Sequence, residues 1–228
     1  MQGSKNMQAI NGDNVVVAHA ELDLSEGMTT HATVRHQGVN HAVVSTRAPG
    51  SHRLGMTTAQ LSIAGFDARI VESVDTNFVG QSSVRYEAWL ESPNGALWVQ
   101  SYDSADHSIS LLSDLDPRST DLGVWIGPGN NVDFVTPAEI IVDADSLGVL
   151  KITPLTEEVI GQLPHWQGTM TPAGELFAGH VSRSQPMLTL VTPTARVMVI
   201  PKADEDDPAD MDELTRLAST LSVEWSAR

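Results

Sequence analysis

His36 and His41 are the two residues of this chain best spaced for metal chemistry. They close and open two alternating runs, His31-Ala-Thr-Val-Arg-His36 and His41-Ala-Val-Val-Ser-Thr46, which read as a hairpin around Gln37-Gly38-Val39-Asn40. A four-residue loop there would set His36 directly opposite His41, with Cβ atoms about 5 Å apart. Two imidazoles at that distance hold a transition metal only with at least one further ligand. His31 lies an odd number of residues from His36, so on a strand it points to the other face. The competing reading is a pair of hydrogen-bonding histidines on a solvated hairpin.

Other constellations fall short of a reaction. Asp143-Ala-Asp-Ser-Leu-Gly148 opens like a calcium loop, but Leu147 and Pro154 stand where oxygen ligands are needed, so a hairpin turn explains it better. Serines are plentiful, yet Gly80-Gln-Ser-Ser83 lacks the second glycine of a nucleophile elbow. His107 and His180 remain the imidazoles on which a hydrolase would depend. Gly127-Pro-Gly-Asn-Asn131 has no lysine after it and no helix to aim at a phosphate. Glu157 and Glu158, adjacent in a helix, suit a solvated face rather than two opposed catalytic carboxylates. No cofactor is expected.

Five tryptophans dominate the few aromatics. In Val84-Arg-Tyr-Glu-Ala-Trp-Leu90, Val84, Tyr86, Ala88 and Leu90 alternate with Arg85, Glu87 and Trp89. If Leu90 faces the core, Trp89 faces outward, where an indole is a contact surface for a partner or a sugar ring. The alternative for Trp89 is a second, covered face of the sheet.

These residues sit in a chain of uneven composition. Residues 1–55 carry four basic and four acidic side chains and five of the eight histidines, whereas residues 56–228 carry nine basic and twenty-five acidic. The net charge of −16 disfavours nucleic acid and anionic membrane surfaces, because both are bound by neutralising phosphates with Lys and Arg. No stretch approaches the roughly 18–20 apolar residues of a spanning helix, and none resembles a secretory signal. A soluble protein, cytoplasmic or virion-associated and without membrane insertion, is therefore expected. Cysteine is absent, which removes disulfides, thiolate nucleophiles and Cys-type zinc sites. Scarce lysine with frequent Ala, Val, Thr and Asp is the usage of a high-GC genome such as an actinobacterium or one of its phages.

The elements that must position any site are mostly strands. Besides the histidine hairpin, strands pair at Val84–Leu90 with Ala96–Tyr102 through Asn94-Gly95, at Glu139–Val142 with Gly148–Ile152, and at Met187–Val191 with Ala195–Ile200. Further strands are predicted at 68–74, 108–112, 123–126 and 176–181. A short helix is predicted near 154–163, capped by Thr153. A C-terminal amphipathic helix is predicted near 208–222, where Met211, Leu214, Leu217, Ala218 and Leu221 recur at spacings of three and four. The fold class is α+β, mostly β, with antiparallel sheets built from hairpins. The charge break divides the chain into residues 1–55, an N-terminal β-hairpin segment or assembly arm, and residues 56–228, an acidic mostly-β domain with the C-terminal helix.

With no catalytic constellation assembled, the expected function is a non-enzymatic structural or accessory protein. It would act through protein–protein contacts in a larger assembly, with a protein partner or as a homo-oligomer, and a phage virion or secretion machinery suits the composition. The alternatives are a small-molecule or lipid-binding β domain with a helix-covered cavity, and a hydrolase using His107 or His180.

Overall fold

The computed structural model describes residues 3–24, 27–38, 40–48, 57–76, 80, 82–101, 104–127, 129–144, 147–182, 185–202 and 210–228. In chain order the first strands are β1 (Gly3–Gln8), β2 (Asn14–His19), β3 (Met28–His36), β4 (Asn40–Arg47), β5 (Thr57–Ile63), β6 (Phe66–Thr76), β7 (Ser82–Ser92) and β8 (Gly95–Ser101). Helix α1 (Ala105–Asp114) precedes β9 (Asp116–Thr120), β10 (Gly123–Gly127), β11 (Val132–Phe134), β12 (Glu139–Ala144) and β13 (Gly148–Pro154). Helix α2 (Glu157–Gly161) leads to β14 (Thr169–Thr171), β15 (Gly174–His180), β16 (Pro186–Val191) and β17 (Ala195–Ile200), and α3 (Met211–Ala218) to β18 (Ser222–Ser226). The class is α+β, mostly β, with large antiparallel sheets. Among the described residues no helix is long and apolar enough to cross a membrane.

The chain divides into two compact units, one of Met1–Met7, Asp13–Thr29 and Glu139–Arg228, the other of Gln8–Gly12 and Thr30–Ala138. Residues 1–55 contribute to both.

In the first unit the strands run β14-β15-β16-β17-β13-β12, beside a small sheet ordered β1-β2-β18. Alternation builds its core: Ile140, Val142, Leu150, Ile152, Val197, Val199, Leu188 and Leu190 are all buried, while the residues between them are half-buried or polar. Helix α3 buries Leu214, Leu217 and Ala218 and packs on β16. Its N-cap is Asp210, whose carboxylate accepts from the amides of Asp212 and Glu213. Arg216 spans Glu21 and Glu213 with bonds of 2.7–2.9 Å. The helix is shorter than the predicted 208–222, because Thr220 and Leu221 turn the chain into β18, and Trp225 lies in that strand with its Nε1 donating to Asp13 at 2.9 Å. The start of the predicted span, residues 208–209, lies outside the described residues. Helix α2 falls within the predicted 154–163 but is capped by Thr156 rather than Thr153.

The second unit carries the order β3-β4-β8-β7-β6-β5, with β11 paired to β3 and a two-stranded β9–β10 sheet. One face of the large sheet holds Val34, Val44, Val99, Leu97, Leu90, Ala88, Ile70 and Ala68, each buried. Helix α1 packs on β5, β6 and β7, and β10 packs on β4 and β8. Here the strand predicted at 108–112 is corrected: the segment is α1. Ser104 caps it by accepting from the His107 amide, and Ser108, Leu111 and Leu112 recur at spacings of three and four, so one side of a helix is buried. In the β7–β8 hairpin Ser92 pairs with Gly95, so the turn is Pro93-Asn94, one residue before the predicted Asn94-Gly95.

Candidate functional site

The histidine hairpin forms, but one residue out of the expected register. His36 lies opposite Asn40, and His41 lies opposite Arg35. Positive φ at Gln37 (53°) and Gly38 (78°) closes the connection tightly, and the β ladder resumes at Asn40. The two histidines are therefore not directly opposite on the ladder, the placement that the expected metal pair required. The side chain of His41 lies outside what is described, and among the described residues no group of three or more metal-ligating side chains is assembled.

His36 is instead buried against α1. Its Nε2 donates to Asp114 Oδ2 at 2.8 Å, and its ring lies 5.0 Å from that of His107, tilted by 52°. Its Nδ1 is buried with no hydrogen-bond partner among the described residues. The arrangement ties the last residue of α1 to β3. The hydrogen bond from His36 holds the Asp114 carboxyl below its usual range; partial desolvation opposes this, and a hydrogen bond from Asn131 adds to it.

A carboxyl whose native pKa lies below its unfolded value contributes stability that is present above the unfolded pKa and lost as pH falls through the native one. The Asp114→Asn variant should therefore lose less stability than the wild-type chain between neutral pH and strongly acidic pH. Melting temperatures followed down the acid limb check this, and parallel curves would show that Asp114 has no part in it.

His107 and His180, on either of which a hydrolase would depend, fall in different units. His107 lies in α1 beside His36, and its backbone amide, not its ring, is what Ser104 caps. His180 ends β15 opposite Pro186 and is exposed. Asp143, from the calcium-like loop, bonds Lys202 Nζ at 2.6 Å, and Asp145 lies outside the described residues.

Trp89 does not present an exposed indole. It is only 5 % exposed, although Leu90 beside it is fully buried, so both faces of β7 are covered at this point. The alternation was sound; it was the exposure of the second face that failed. Trp89 pairs across the ladder with Trp98, ring centroids 6.1 Å apart. Trp98 Nε1 donates to Glu87 Oε2 at 3.1 Å, Arg85 bonds Glu87 Oε1 at 2.7 Å, and the Arg47 guanidinium sits 5.0 Å above the Trp98 ring. This polar-aromatic cluster is knitted internally, with the buried Glu87 carboxylate as its centre.

The exposed apolar surface lies elsewhere on the same strand. Pairing of β6 to β5 ends at Val71, and pairing of β7 to β8 ends at Tyr86. Beyond those points, among the described residues, Ser73–Thr76 and Ser82–Arg85 pair only with each other, as a two-stranded ribbon. Val74 and Val84 stand directly opposite on it, 60 % and 42 % exposed. Alternation in Val84–Leu90 was legible in the sequence, but the point at which the ribbon leaves its neighbours depends on strand order, which is not local information.

The first unit holds a cavity of about 290 Å³ lined by Pro172, Ala173, Thr192, Pro193 and Thr220–Val223, at the corner where α3 passes into β18. Among known proteins the chain matches no family model, no curated protein and no solved structure. What the geometry defines is a class, an α+β, mostly β protein in which β6 and β7 extend as a two-stranded ribbon.

Proposed function

We propose that this protein is a non-enzymatic structural or accessory component of a larger assembly, cytoplasmic or virion-associated, acting through protein–protein contacts. The observation that carries the reading is the β6–β7 ribbon with Val74 and Val84 exposed in a cross-strand pair. Single exposed apolar residues are ordinary on protein surfaces. Two exposed β-branched residues facing one another across a two-stranded ribbon are a different matter, because together they form a paired apolar contact surface. Covering them would contribute about 1.5–3 kcal/mol for each side chain fully removed from water. The net charge of −16 repels polyanions, which is in keeping with a protein partner rather than nucleic acid.

The Val74→Asp/Val84→Asp double variant tests the reading. Both sites are exposed, so the fold should persist, while sedimentation velocity should show a species smaller than the wild-type assembly. If the double variant sediments as the wild-type complex does, the ribbon is not the contact.

A second reading, a small-molecule binder, is supported by the cavity at the α3–β18 corner. Its volume of about 290 Å³ falls just below the usual range for ligand pockets, roughly 300–1,000 Å³. The threonines and prolines around it carry no charge, which suits a small neutral ligand.

A further inference from the structure

We propose that the outer edge of β5 pairs antiparallel with the β5 of a second copy of this chain, about a two-fold axis through Leu61. This rests on the assembly reading above and names the partner. On its inner side β5 is paired to β6, and among the described residues it ends the strand order of its unit. Outer strands expose a row of unsatisfied N–H and C=O groups, and proteins blunt them with charge, proline, bulges or shortness. Other outer strands carry such safeguards: β14 is three residues long and followed by Pro172, β1 carries Lys5, β18 carries Glu224, and β9 holds Pro117 between Asp116 and Arg118, while β10, with neither charge nor proline, has its Ile126 amide donating to the Ile10 carbonyl at 2.7 Å. The segment Thr57-Thr-Ala-Gln-Leu-Ser-Ile63 has neither charge nor proline. Its one irregularity lies between Thr57 and Ala59, which leaves Ala59–Ile63 a regular run.

The core stripe is unfinished at this strand. Ile70, Ala68 and Phe66 are buried, and their partners on β5 are Ala59, Leu61 and Ile63, each only half-buried. Between them Gln60 and Ser62 are exposed on the opposite face. A two-fold at Leu61 places Leu61 against its own copy, Ala59 against Ile63, and Gln60 against Ser62. The apolar stripe then continues across the junction on one face and neutral polar pairs meet on the other. Charge selects this occupant. Two copies of a chain with net charge −16 repel, and like charges directly opposite destabilise a ladder, so self-association needs a strand on which no charges meet.

Light scattering of the full chain with two charge variants tests it. Wild type should give twice the chain mass of 24.5 kDa, or an even multiple of it. Gln60→Lys/Ser62→Lys puts like charges opposite one another twice and should halve that mass. Gln60→Lys/Ser62→Glu puts opposite charges in the same places and should keep it. Unchanged far-ultraviolet circular dichroism in both confirms that the exposed sites leave the fold intact. An oligomer indifferent to the lysine pair, or one dissociated equally by both variants, overturns the β5 pairing and leaves the ribbon reading standing. A monomer with no bound protein overturns both.

Discussion

Replacing Gly148 by alanine should lower the unfolding free energy by roughly 2–5 kcal/mol, through left-handed backbone strain and overpacking together. Gly148 opens β13 with φ +92°, a conformation that L side chains rarely adopt. A Cβ there would overlap the carbonyl oxygen of Ile200 and lie 2.8 Å from the amide nitrogen of Lys202. These are backbone atoms, not the ends of flexible side chains. They belong to the end of β17, where Ile200 pairs with Val149, so relief requires opening the β13–β17 ladder at its first rung. Against a total stability of about 5–15 kcal/mol, such a loss is large. Urea unfolding should show a lower midpoint with an unchanged slope. A change below about 0.5 kcal/mol, the range of neutral surface substitutions, would show that the β12–β13 turn relaxes freely.

Removing the Glu87 carboxylate should cost about 2–4 kcal/mol, because it leaves two donors behind rather than removing a whole cluster. Glu87 is 6 % exposed and accepts from both Trp98 Nε1 and Arg85. In Glu87→Ala the guanidinium loses its ion pair and the indole N–H its acceptor, while the Trp89–Trp98 contact loses the group that orients one ring. Glu87→Gln keeps an acceptor for the indole and loses only the charge, so its cost should be intermediate. Chemical denaturation gives the energies, and the indole N–H resonance of Trp98 reports the lost bond. Equal stability of Glu87→Ala and wild type would mean that solvent replaces the carboxylate at no cost.

The hairpins were legible in the sequence because their signals are local. Alternation in Glu139–Val142, Gly148–Ile152, Met187–Val191 and Ala195–Ile200 lies within a few residues of turn-forming Asp, Gly and Pro, and both strands of each pair formed where expected. Register was less legible. The one-residue shift at His36 follows from a positive φ at Gln37, and glutamine gives no notice of that conformation. Helix α1 was misread because Ser108-Ile-Ser-Leu-Leu112 also alternates over a short window; only the Ser104 cap and the reach to Leu115 distinguish it. For Trp89, the alternation assigned a face correctly, but whether that face is covered depends on Glu87, Trp98 and Arg47, from two other strands as well as its own. The ribbon and the place of β5 at the end of the strand order were beyond sequence reading for the same reason, since both depend on which strand lies beside which.

The absolute mass of the native full chain in solution, measured by light scattering over a wide concentration range, tests the assembly reading most directly. It should be a multiple of 24.5 kDa, or that mass together with a bound protein. A single species of 24.5 kDa at every concentration, with nothing associated, would contradict it and turn attention to the cavity beside Leu221.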